Sequence, residues 1–134
     1  MQHDPMRPAI TLGDAEQRRL RTLAMSSPGH TADDSDYLHY ELDRASIVPD
    51  TALPLDVVRV GSRVRYLSDR GTARTVTVVY PAQADVAAGR ISVTSPVGAA
   101  LIGLQPGQAI TRMGWDGDFC KFTVLSVIPP VTRQ

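Results

Sequence analysis

One cysteine, seven aromatic residues and no long apolar run set the first limits on this chain of 134 residues. A lone Cys120 cannot form an internal disulfide, and its place in an apolar run suits a buried, unreactive thiol. No stretch approaches the ~20 apolar residues that a membrane-spanning helix requires. The opening Met1–Pro8 has neither an apolar centre nor a small-residue cleavage site, so no secretory signal is expected and the cytoplasm is the expected location.

Catalytic signatures are equally scarce. The chain has no GxxxxGK[ST] phosphate loop, no paired-cysteine metal motif and no HExxH. His3, His30 and His39 fall in an expected tail, near a turn and in a helix, which is not a metal-ligating spacing. No local motif favours a serine or cysteine nucleophile. The expectation is a protein that is not an enzyme, with no cofactor and no metal.

What the chain has is a soluble globular composition, with 43% hydrophobic residues and zero formal net charge. Residues 1–47 carry eight acids and five bases, whereas residues 48–134 carry six acids and nine bases. The bases Arg59, Arg63, Arg65, Arg70 and Arg74 are scattered rather than packed into a dense patch, which argues against sequence-specific nucleic-acid binding.

Residues 1–9 read as a tail. Thr11 stands three residues before Asp14, a pattern that predicts a helix start near Thr11. Leu12, Ala15, Leu20, Leu23 and Ala24 share one face of that helix, with Gln17, Arg18 and Arg21 toward solvent. Ser26-Ser27-Pro28-Gly29 predicts its end and a reversal. Thr31 to Asp36 offers caps and acids for a second helix start, and Leu38, Leu42 and Ala45 give it a narrow apolar stripe. A short antiparallel helical hairpin over 10–47 follows. Pro49 and Pro54 then mark a linker over 48–56.

From 57 to the end the pattern turns to β-branched runs. Strands are predicted at 63–67, 75–80, 91–93 and 122–128, the second and fourth alternating apolar residues with Thr or Ser as a one-face-buried antiparallel sheet would. Pro96 at a first turn and Gly103 at an exit predict one short helix between the last two. The fold class is α+β: a helical hairpin followed by an antiparallel sheet with one short helix.

The run Ile91-Ser92-Val93-Thr94-Ser95-Pro96-Val97-Gly98-Ala99-Ala100-Leu101-Ile102-Gly103-Leu104 resembles the C-terminal signature of the Gre transcription elongation factors. Gln105-Pro106-Gly107-Gln108 is similar to that family's turn before a strand, and the apolar ending through Ile128 to its last strand. Tyr40 to Ala45, Leu55 to Val58 and Val79 to Ala82 look more like the Rnk branch, the regulators of nucleoside diphosphate kinase. The resemblance implies an FKBP-like domain over 57–134 that docks on RNA polymerase near the mouth of its secondary channel. Ser95, Pro96 and Val97 align with the part of the family that meets polymerase, and Ala100 and Leu101 are secondary candidates. Their other roles would be local: Ser95 as a cap, Pro96 as a helix start, Leu101 and Ile102 as core.

The cleavage factors of this family carry acidic residues to the polymerase active site on a much longer coiled coil. A helix from Thr11 to Ser26 spans only roughly 22 Å. Asp33, Asp34 and Asp36 are therefore candidate channel contacts at the hairpin tip, with capping and solvation as their alternative role, and no metal is assigned to them. The expected function is to occupy the channel entrance and compete with Gre-type factors without stimulating cleavage. Two alternatives stand beside it: a regulator of nucleoside diphosphate kinase, linked to it directly or indirectly, or another protein-interaction module with a different client; and a prolyl isomerase suggested by fold analogy. The second is weakened because Tyr66, Tyr80, Trp115, Phe119 and Phe122 are the domain's whole aromatic supply. No membrane partner is expected.

Overall fold

The computed structural model describes residues 9–26, 32–69, 71, 73–113 and 119–130. Strand β1 (Thr11–Gly13) leads into helix α1 (Asp14–Ser26), and helix α2 (Ala32–Arg44) leads out into strand β2 (Ser46–Val48). Strands β3 (Arg63–Ser68), β4 (Ala73–Val79), β5 (Arg90–Ser92), β6 (Ala109–Met113) and β7 (Phe119–Ile128) form one sheet, with helix α3 (Pro96–Leu101) between β5 and β6. The expected tail before residue 9, the reversal at 27–30, His3, His30, Arg70 and Trp115 lie outside the described residues.

The helix expected from Thr11 begins instead at Asp14. Thr11, Leu12 and Gly13 pair in parallel with Ser46, Ile47 and Val48, and the Thr11 N–H donates to the Gly103 carbonyl at 3.4 Å. A long-range ladder claims the backbone groups that a capped helix would have used, and it buries Leu12 completely. Capping comes from elsewhere. The Ala15 N–H donates to Oδ1 of Asp50 at 2.7 Å, so a carboxylate beyond β2 serves the first turn of α1. Gly13 permits this approach, because a Cβ there would stand 2.6 Å from Asp50 Oδ2.

The main sheet runs β5-β4-β3-β7-β6. Four of its strands are antiparallel as expected, but β4 and β5 are parallel, so the sheet is mixed. The connection over 80–89 contains two single 3-10 turns, Pro81–Gln83 and Val86–Ala88, and returns the chain to enter β5 in the direction of β4. Strand β6 has no β-branched run to announce it, although the resemblance implies a strand after the 105–108 turn. It has only five residues, with Ile110 buried between half-buried Ala109 and Thr111.

One sheet face is apolar: Val64, Tyr66, Val76, Val78, Ile91, Ile110, Phe122 and Val124 are buried there. Helix α3 lies against β5 and β6 and also touches α2. Leu20, Ala24, Leu38 and Leu42 from the hairpin join the same buried cluster as the sheet residues. The segment 48–56 lies on this assembly, with Asp50 capping α1 and Leu53 buried. Each fully buried leucine contributes about 1.5–3 kcal/mol from transfer alone.

Two carboxylates enter this interior. Glu41 on α2 is buried and ion-paired with Arg44 at 2.7 Å, one turn away. Glu16 on α1 is also buried and accepts the Val60 N–H at 3.1 Å, tying the hairpin to the turn that precedes β3. Burial raises the Glu16 carboxyl above its ordinary value, against the opposing pull of the Arg59 guanidinium and the Val60 hydrogen bond.

Candidate functional site

The turn between β5 and α3 is held by its own side chains. Ser92 Oγ lies 2.7 Å from Thr94 Oγ1 and accepts the Thr94 N–H at 3.0 Å. Ser95 Oγ donates to the Ser92 carbonyl at 2.6 Å and accepts the Gly98 N–H at 3.1 Å. Ser95 is thus the N-cap of α3 and Pro96 opens its first turn, where a missing N–H costs nothing. The helix is pressed against the turn behind it. A Cβ on Gly98 would collide with the Ser92 carbonyl oxygen, so only glycine fits at that point. Backbone bonds from Val93 to the Val79 carbonyl, 2.8 Å, and from Ser95 to the Ser92 carbonyl, 3.0 Å, complete a stiff knuckle.

This geometry divides the residues singled out in the sequence. Ser95 and Pro96 are half-buried at the surface of the knuckle. Val97, Ala100 and Leu101 are buried beneath it, in the cluster shared with the sheet and the hairpin. The three support the shape of the turn from below, and the side chains available for contact are Ser95 and Pro96. Asp33, Asp34 and Asp36 belong to α2 by backbone, while their side chains lie outside the described residues.

Among the described residues the aromatic side chains do not converge on a pocket. Tyr66 and Phe122 pack edge to face on one another inside the core, with ring centroids 5.6 Å apart. Tyr80 stands apart and helps line an open groove of ≈ 610 Å³ against Ala15, Arg18, Arg19, Thr22 and Leu23 of α1. No local sequence signal marks this groove, since it joins a helix face to the end of β4. Among the described residues no group of three or more His, Cys, Asp or Glu side chains could hold a metal ion. Among them, too, no helix is long and apolar enough to cross a membrane.

A mixed sheet backed by one short helix, with a capped Ser-Pro knuckle and a helical hairpin, corresponds to a known family of transcription factors. The family model for the C-terminal domain of the transcription elongation factors GreA and GreB matches residues 53–129, more than half of the chain, and the chain belongs to that family. The solved structure of a GreA/GreB elongation factor from Nitrosomonas europaea superimposes with a TM-score of 0.70 at 29% identity, over 91% of this chain and 99% of that one. Within the family, the chain is similar to the regulator of nucleoside diphosphate kinase from Escherichia coli K12. The two are 40% identical over 107 residues, covering 78% of this chain and 77% of the relative. A GreA from Thermodesulfovibrio yellowstonii is 33% identical over 114 residues, covering 78% and 72%.

Proposed function

We propose that this chain binds RNA polymerase at the mouth of the secondary channel through the Ser95–Pro96 knuckle, and occupies that position without stimulating transcript cleavage. Family membership supports the partner, and a polymerase partner entails the cytoplasm. The observation that carries the mechanism is the length of the hairpin. Helices α1 and α2 have 13 residues each, which gives each helix about 20 Å of reach. An arm of that length fills an entrance and stops well short of an active site that longer arms reach. Competition with Gre-type factors follows, since two proteins cannot share one docking position.

The test uses purified polymerase. The full chain should displace a labelled Gre factor in a concentration-dependent way and should leave cleavage of a stalled transcript at its spontaneous rate. Failure to displace would overturn the docking position, and stimulated cleavage would overturn the non-catalytic role.

A second reading follows from the regulator of nucleoside diphosphate kinase, the relative that shares 40% identity. Here the client is the kinase, bound directly or reached through transcription. Parallel binding assays with purified polymerase and purified kinase separate the two, because a direct regulator retains the kinase in the absence of polymerase.

A further inference from the structure

The main sheet has a second face that no element covers among the described residues. Along β3 it presents Arg63, Arg65 and Leu67, and along β4 Ala73, Thr75 and Thr77. Arg63 stands in register with Thr77, and Thr77 with Arg90 of β5, so two arginines flank a threonine across three strands. Arg65 stands between Thr75 on one side and Ser126 on the other, where the pairing of β3 with β7 shifts register and Leu125 and Ser126 are both exposed.

The charge of this sheet has one sign. Its five strands contain no aspartate or glutamate, while they carry Arg63, Arg65, Arg74, Arg90, Arg112 and Lys121. Two described acids beside the strand ends are already engaged. Asp85 pairs with Arg90 at 3.7 Å, and Asp69 Oδ1 accepts from the Cys120 thiol at 3.2 Å. Arg63 and Arg65 are exposed and have no ion pair among the described residues.

We infer that this face is a docking surface for an acidic, extended segment of a partner protein, with Arg63 and Arg65 as its principal contacts. Residues two apart on a strand repeat at about 6.8 Å, which is also the repeat of carboxylates at every second position of an extended peptide. Arginine presents a planar fork matched to a carboxylate, and the flanking hydroxyls of Thr75, Thr77 and Ser126 supply further polar contacts. Exposed Leu67, Leu125 and Ile128 lie on the same strands and add the apolar area that a protein partner uses. A single-stranded nucleic acid is disfavoured because these exposed positions include no aromatic ring for base stacking. The surface is separate from the Ser95–Pro96 knuckle and does not depend on polymerase being the partner there.

The experiment is a nuclear magnetic resonance titration of the full, isotope-labelled chain with three probes. They are a peptide of alternating glutamate and threonine, its glutamine-for-glutamate twin, and a single-stranded RNA of the same charge. The expected result is shifts in the β3 and β4 amides with the acidic peptide, none with the twin, and weaker effects with the RNA. The double variant Arg63→Glu, Arg65→Glu should weaken peptide binding at least tenfold with the rest of the spectrum unchanged, and Arg63→Gln, Arg65→Gln should weaken it less. Absent shifts, shifts confined to Arg18, Arg19 and Arg21 on α1, tighter binding of RNA, or undiminished binding by the double variant would each overturn the inference.

Discussion

Asp50 caps a helix from 35 residues away: its Oδ1 accepts the Ala15 N–H at 2.7 Å, and the space for its carboxylate exists because residue 13 is glycine. Replacing Asp50 by alanine should cost about 1–2 kcal/mol, read as a lower urea midpoint, with Asp50→Asn closer to the parent. Gly13→Ala should also destabilise, because its Cβ would stand against that carboxylate. The two losses should not add: in the Asp50→Ala background the Gly13→Ala penalty should largely disappear. Full additivity would mean that the contact is not the cause.

Glu16 gives the fold a pH dependence of defined sign. Its carboxyl is raised by burial, so in the unfolded chain it ionises near its ordinary 4.5 and in the folded chain only at higher pH. The contribution of Glu16 is fully present below the unfolded value and is lost as pH rises through the folded one. Glu16→Gln removes this titration while an amide oxygen can still accept the Val60 N–H. Unfolding free energies of the two proteins, measured from about pH 4 to about pH 7, should diverge in favour of the glutamine variant as pH rises. Parallel curves would show that Glu16 titrates alike in both states.

Leu42 is buried in the cluster that also contains Val64, Tyr66 and Phe122 of the sheet. Leu42→Ala should therefore lower the stability of the whole chain, by about 2–5 kcal/mol, rather than melt the hairpin alone. Far-ultraviolet circular dichroism and the near-ultraviolet signal of the aromatic residues should fall in one transition. Two separated transitions would show that hairpin and sheet unfold independently.

At the knuckle, variants should separate shape from contact. Gly98→Ala forces a methyl group into the Ser92 carbonyl and should cost about 3 kcal/mol or more. Ser95→Ala removes the cap and should cost about 1 kcal/mol. Pro96→Ala changes a half-buried ring and should leave stability within about 1 kcal/mol while weakening polymerase binding about tenfold. Equal binding by Pro96→Ala and the parent would remove Pro96 from the interface.

Local chemistry made part of this legible in advance. Ser95 followed by Pro96 announces a helix start, and Leu38 and Leu42 announce a buried stripe, because caps and periodicity act within a few residues. The same Thr11 signature that suggests a cap misplaced the start of α1, since β1 is created by β2, on the far side of the hairpin. Glu16 and Asp50 were unreadable for a related reason: their partners, Val60 and Ala15, lie 44 and 35 residues away. Val97, Ala100 and Leu101 resemble the polymerase-facing segment of the family as a string, yet helical geometry turns all three inward.

The parallel pairing of β1 with β2 joins the point where the chain enters the hairpin to the point where it leaves. A ladder at both feet holds the two helices in register at their base, so they cannot splay apart there without breaking it. The hairpin therefore leaves the core from one fixed base rather than from two separate strands.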